Sequence, residues 1–101
     1  MPARKQYWIY ILTNTWNTVL YVGVTNNLVR RMYEHKSGIG SIFTNKYKTH
    51  KLVYCEVTNN IQFAIQREKQ LKAGPREKKI ELIKSINPAW HDLLEEGPKP
   101  L

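Results

Sequence analysis

At 101 residues, 42% of them apolar and 24% charged, the chain is expected to fold as one domain, residues 1–94, with a flexible tail over 95–101; a fibrous or disordered protein is excluded. No apolar run approaches the ~20 residues of a membrane span, no signal-peptide core follows Arg4 and Lys5, and the lone Cys55 rules out an internal disulfide or a multi-cysteine metal site, so a cytoplasmic, reducing setting is expected. The net charge is +8, and residues 1–54 hold eight bases against Glu34 alone, which points to a polyanion, nucleic acid, rather than to a membrane surface or an obligate protein partner.

Residues 7–12 are aromatic and β-branched and predict a first strand. The turn cluster TNTWNT over 13–18 follows, then a second strand over 19–24, so the two form a hairpin. Gly23 inside that strand marks a bulge or a close backbone approach. Thr25, Asn26 and Asn27 supply N-cap candidates for a helix over 28–36. Residues 39–50 show neither the helical nor the strand period and read as a loop.

A third strand is predicted over 51–57, with Val53, Cys55 and Val57 on one face. Thr58, Asn59 and Asn60 then repeat the capping signal before a helix over 61–72. Gly74 at C′ and Pro75 at N1 separate it from a last helix over 75–85, with Ile80, Ile83 and Ile86 facing inward. Asn87-Pro88 ends that helix, and Trp90 and Leu93 are expected to dock back on the core. The order β-β-α-β-α-α predicts an α+β domain, a three-stranded sheet flanked by helices.

Polar residues interrupt the apolar faces. Ile61, Ala64, Ile65, Glu68 and Leu71 share one helical stripe, and one of the five is a carboxylate. A core-facing Glu needs a partner or a metal, whereas an edge Glu would pair with Lys72 four residues on. Leu28, Arg31, Met32 and His35 share a face of the first helix. Arg31 either offers its planar fork to phosphate oxygens or snorkels to water, and His35 is either a functional imidazole or a satisfied core residue. Tyr10 and Tyr21 fall mid-strand, where paired phenols are core residues or a polar cluster. Residues 42–51 interleave Lys46, Lys48 and Lys51 with Phe43, Tyr47 and His50. Such a segment is either an incidental loop or one that stacks on bases and holds a backbone.

Taken together, these residues resemble a known pattern. Tyr10, ten residues, Tyr21-Val22-Gly23, a helix bearing Arg31 and a later helical Glu68 are similar to the GIY-YIG endonuclease superfamily, in particular its small bacterial single-domain members. The first tripeptide is Trp8-Ile9-Tyr10 rather than Gly-Ile-Tyr, and Val24 stands where some incision enzymes carry Lys. The resemblance implies an antiparallel sheet and a phosphodiesterase with one divalent metal, typically Mg²⁺. It further implies that Tyr10 and Tyr21 act on water or phosphate, that Gly23 permits close backbone approach, and that Arg31 contacts the scissile phosphate. His35 would lie near the nucleophile, and Glu68 would bind the metal. Arg30, Lys46, Lys48 and Lys51 are the basic candidates for holding nucleic acid. The expected function is a metal-dependent endonuclease on DNA, structured or damaged DNA among the candidates. The alternative is a non-catalytic nucleic-acid-binding module on the same fold.

Overall fold

The computed structural model describes residues 5–94. Its central sheet has three antiparallel strands in the order β2-β1-β3: β1 is Tyr7–Thr13, β2 is Leu20–Thr25 and β3 is Lys51–Thr58. The hairpin between β1 and β2 closes on one side chain. Asn14 Oδ1 accepts from the amides of Thr18 (2.8 Å) and Val19 (3.2 Å), and Asn17 takes a left-handed φ of 58°. The register pairs Tyr10 with Gly23 and Leu12 with Tyr21. Side chains alternate along a strand, so Tyr21 and the residue opposite Tyr10 share a face, and the two phenols lie diagonally across the pair.

That face carries the smaller core: Tyr10, Leu12 and Leu52 under Leu28 and Met32 of α1 (Leu28–Lys36). The other face carries Ile9, Ile11, Val22, Val53 and Tyr54. It packs against Ala64 and Leu71 of α3 (Ile61–Ala73) and Ile83 of α4 (Arg76–Ile86). The fold is therefore three layers, α1 on one side of the sheet and α3 with α4 on the other. Each fully buried aliphatic side chain, Ile9 or Ile83 at 0% exposure, contributes ~1.5–3 kcal/mol.

Five expectations need correction. The segment 39–50 contains a short helix, α2 (Ile42–Tyr47), capped by Ser41, whose side chain accepts from the Thr44 amide, and ended by Lys48 at φ 57°. In β3 the register shifts opposite Ile11 and Leu12, so Val53 turns to the larger core with Tyr54, while Cys55 lies with the smaller one and Val57 is exposed. The stripe of α3 is only partly inward: Ala64 and Leu71 are buried, Ile61 and Ile65 exposed. In α4, Ile83 is buried but Ile86 faces solvent, and Leu82 and Trp90 are the further residues packed on that core. Pro75 is the N-cap of α4 rather than its first residue, and Gly74 caps α3 in extended rather than left-handed geometry.

Trp90 and Leu93 do dock on the two cores, and the Leu93 amide donates to the Leu52 carbonyl at 2.8 Å. Asn87, 4% exposed, ties the end of α4 down. Its side-chain amide donates to the carbonyls of Val53 (3.1 Å) and His91 (2.8 Å). The expected tail at 95–101 lies outside the described residues.

Candidate active site

The smaller core opens into a polar cluster. Tyr10 is 1% exposed, and its ring reaches across β2 because Gly23 has no side chain; a Cβ there would fall on the Tyr10 hydroxyl. The close approach made by Gly23 is thus to the Tyr10 ring. The Tyr10 hydroxyl and His35 Nε2 lie 3.1 Å apart in a buried hydrogen bond. His35, also 1% exposed, is bonded at its other nitrogen to Thr44 Oγ1 (2.9 Å). A Cβ on Gly40 would collide with that imidazole, so a second glycine clears the space for the second ring.

Rings and charges extend the cluster. Tyr21, partly exposed, packs at 6.4 Å from Tyr10 and edge-on to His35 at 5.7 Å, measured between ring centroids. Arg31 stands one turn before His35 and interacts with the Tyr10 phenol. Its fork donates to Glu34 (3.1 Å) and to the Gly40 carbonyl (3.0 Å). The geometry brings Tyr10, Tyr21, Arg31 and His35 together. Glu68 stands on α3, which packs against β2 and β1 on the opposite face of the sheet, and its charge is the smallest of the influences on the Tyr10 phenol. The Glu68 carboxylate also pairs with Lys72 at 3.1 Å, with the Glu68 side chain only 17% exposed. The structure therefore shows the edge reading of that stripe position, a partly buried carboxylate in an i,i+4 pair.

Burial tunes the protonation states. It pushes the Tyr10 phenol up to about 12, against the hydrogen bond and charge of Arg31, which lower it. Burial and the neighbouring Arg31 charge push His35 down to about 4, so its imidazole is neutral at pH 7. The pair is thus a protonated phenol bonded to a neutral imidazole, a hydrogen bond that holds both rings in place.

The basic candidates separate into different places. Arg30 lies on the exposed side of α1. Lys46 sits over the Tyr47 ring, 5.4 Å from its centroid. Lys48 and Lys51 line a hollow of about 270 Å³ together with Lys36, His50 and Asp92. Sequence reasoning missed Thr44, Glu34 and Gly40, which hold the cluster in place. Gly40 was the one readable signal, a glycine in a segment of unassigned period.

Among the described residues no three His, Cys, Asp or Glu side chains converge that could hold a metal ion between them. A lone carboxylate suits Mg²⁺, which keeps most of its water shell.

The family model of the GIY-YIG catalytic domain matches residues 6–81, a span that contains every member of the cluster. The chain belongs to the GIY-YIG family. Curated relatives carry the name UPF0213 protein. One from Syntrophus aciditrophicus is 38% identical over 79% of this chain and 91% of its own. One from Natronomonas pharaonis is 35% identical over 76% of this chain and 89% of its own. The solution NMR structure of the UPF0213 protein BH0048 from Bacillus halodurans covers 93% of this chain and 99% of that one at a TM-score of 0.56 and 23% identity, a likeness of fold. GIY-YIG membership implies a nuclease fold, a nucleic-acid substrate and, for the family's nucleases generally, a divalent metal.

Proposed function

We propose that this GIY-YIG protein is a divalent-metal-dependent endonuclease that hydrolyses phosphodiester bonds in DNA. The observation that carries this reading is the convergence of two phenols, a guanidinium and a neutral imidazole on one sheet face. Phosphodiester hydrolysis needs a route for the proton of water and neutralisation of charge on the phosphorus oxygens. Arg31 turns its fork toward the scissile phosphate, exchanging the Glu34 carboxylate for phosphate oxygens. Tyr21, the more exposed phenol, contacts water or phosphate. Tyr10, held by its hydrogen bond to His35, whose second nitrogen is held by Thr44, positions water or phosphate beside Tyr21, and the water's proton leaves through solvent on the exposed Tyr21 side. Glu68, released from Lys72, would hold Mg²⁺, which supplies Lewis-acid polarisation when bound. In this reading the catalytic unit spans residues 1–94 and works in the cytoplasm.

A second reading has one observation behind it. Arg31 and Glu68 are each already paired, with Glu34 and Lys72, as in a module that binds nucleic acid and does not cut it. Nicking of supercoiled plasmid separates the two. Wild type is expected to nick with Mg²⁺ and not with EDTA, and Arg31→Ala and Glu68→Ala each to fall at least about a hundredfold. Wild type that binds DNA yet leaves every plasmid, branched or single-stranded substrate intact would establish the binding module instead.

A further inference from the structure

The rings of the cluster do not stop at Tyr21. Phe43 packs on Tyr21 with centroids 5.6 Å apart, and Tyr47 packs on Phe43 at 4.6 Å. The three rings form a ladder that runs from the proposed reacting centre along α2 to the surface. Phe43 and Tyr47 are 40% and 42% exposed. The only buried side chain of α2 is Thr44, so these aromatics are not spent on the core. Lys46 rests on the last ring.

A six-residue helix is unstable by itself, yet this one is fixed to the site. Thr44 bonds His35, and the Gly40 carbonyl just before the helix accepts from Arg31. A ligand seated on the ladder would therefore stand at a set offset from the two residues proposed to meet the phosphate.

We infer that Tyr21, Phe43 and Tyr47 form a stacking platform for unpaired bases, and that the preferred substrate is single-stranded DNA. This rests on the nuclease reading above for the role of the adjoining centre. Its own support is the ladder. Ring faces are sequence-tolerant partners for bases, and a base shows its face only when it is unpaired; in a duplex the faces are covered by neighbours. Lys46 beside Tyr47 supplies a cation for the backbone between stacked bases.

The test is fluorescence anisotropy of labelled dT20 and of a 20-base-pair duplex in EDTA, where binding is read without cutting. Phe43→Leu and Tyr47→Leu keep apolar volume and remove the ring, and Tyr47→Phe keeps the ring. The platform predicts tighter binding of dT20 than of duplex by wild type. It predicts a loss of dT20 affinity of about five- to a hundredfold for each Leu variant. Duplex binding should stay within about twofold, and Tyr47→Phe should bind as wild type. Equal losses on both DNAs, no loss on dT20, or a wild-type dimer that Phe43→Leu dissociates would each overturn it. If Phe43→Leu melts early, the two Tyr47 variants decide the matter. Failure here with Mg²⁺-dependent nicking intact leaves the nuclease reading standing, and loss of dT20 binding in the Leu variants of a protein that never nicks leaves the platform standing.

Discussion

Tyr10 and His35 depend on two residues that have no side chain at all. Gly23 lets the phenol lie across β2, and Gly40 lets the imidazole lie against the start of α2. Adding one methyl at either position forces a ring from its place, so Gly23→Ala and Gly40→Ala should each lower stability by about 1–3 kcal/mol, read as a fall in Tm. Both should also weaken nicking, since the displaced rings shape the proposed site. His35 carries a second expectation. Its folded pKa is near 4, below the unfolded value of 6.5. The unfolded chain therefore binds the proton first, so the stability from neutral His35 is complete above pH 6.5 and is lost as pH falls toward 4. A difference of that size corresponds to on the order of 3 kcal/mol. Melting between pH 7 and pH 4 should fall more steeply for wild type than for His35→Gln; equal slopes would contradict the assignment.

At the scale of elements, the sequence was most legible where one period held throughout. β1 and β2 are short runs bounded by turn residues, and Tyr10 and Tyr21 reach one face through the alternation of those runs. α1 was clear in the same way, with Asn27 as its cap and Leu28, Met32 and His35 on its buried face. α2 was hidden because six residues make less than two turns, and because its stabilising bonds come from His35 and Arg31 on another helix. The bulge in β3 was hidden for a different reason. Leu52, Val53, Tyr54 and Cys55 are apolar in succession, so no polar position marks where the alternation slips. Asn87 read as a helix stop and proved to be a clamp as well. Losing its bonds leaves the Val53 and His91 carbonyls short of a donor, and Asn87→Ala should cost about 1–3 kcal/mol in denaturant unfolding with little change in DNA affinity.

Over the whole molecule, the sheet works as a partition. One face is the larger core, where α3 and α4 meet Ile9, Ile11 and Val53. The other face is the site, where α1 and α2 converge on the tyrosines. Glu68 belongs to a helix of the first layer, and its charge is the smallest of the influences on Tyr10 in the second. The central claim is that this carboxylate and the tyrosine cluster form one hydrolytic centre. The most direct measurement is the Mg²⁺-dependent nicking rate of Glu68→Gln beside its Tm. Glutamine keeps the shape and removes the charge, so nicking should fall at least about a hundredfold while Tm moves by only a few degrees, as for loss of one partly exposed ion pair. Unchanged nicking, or a large fall in Tm that accounts for the lost rate, would make Glu68 a structural residue and contradict the account.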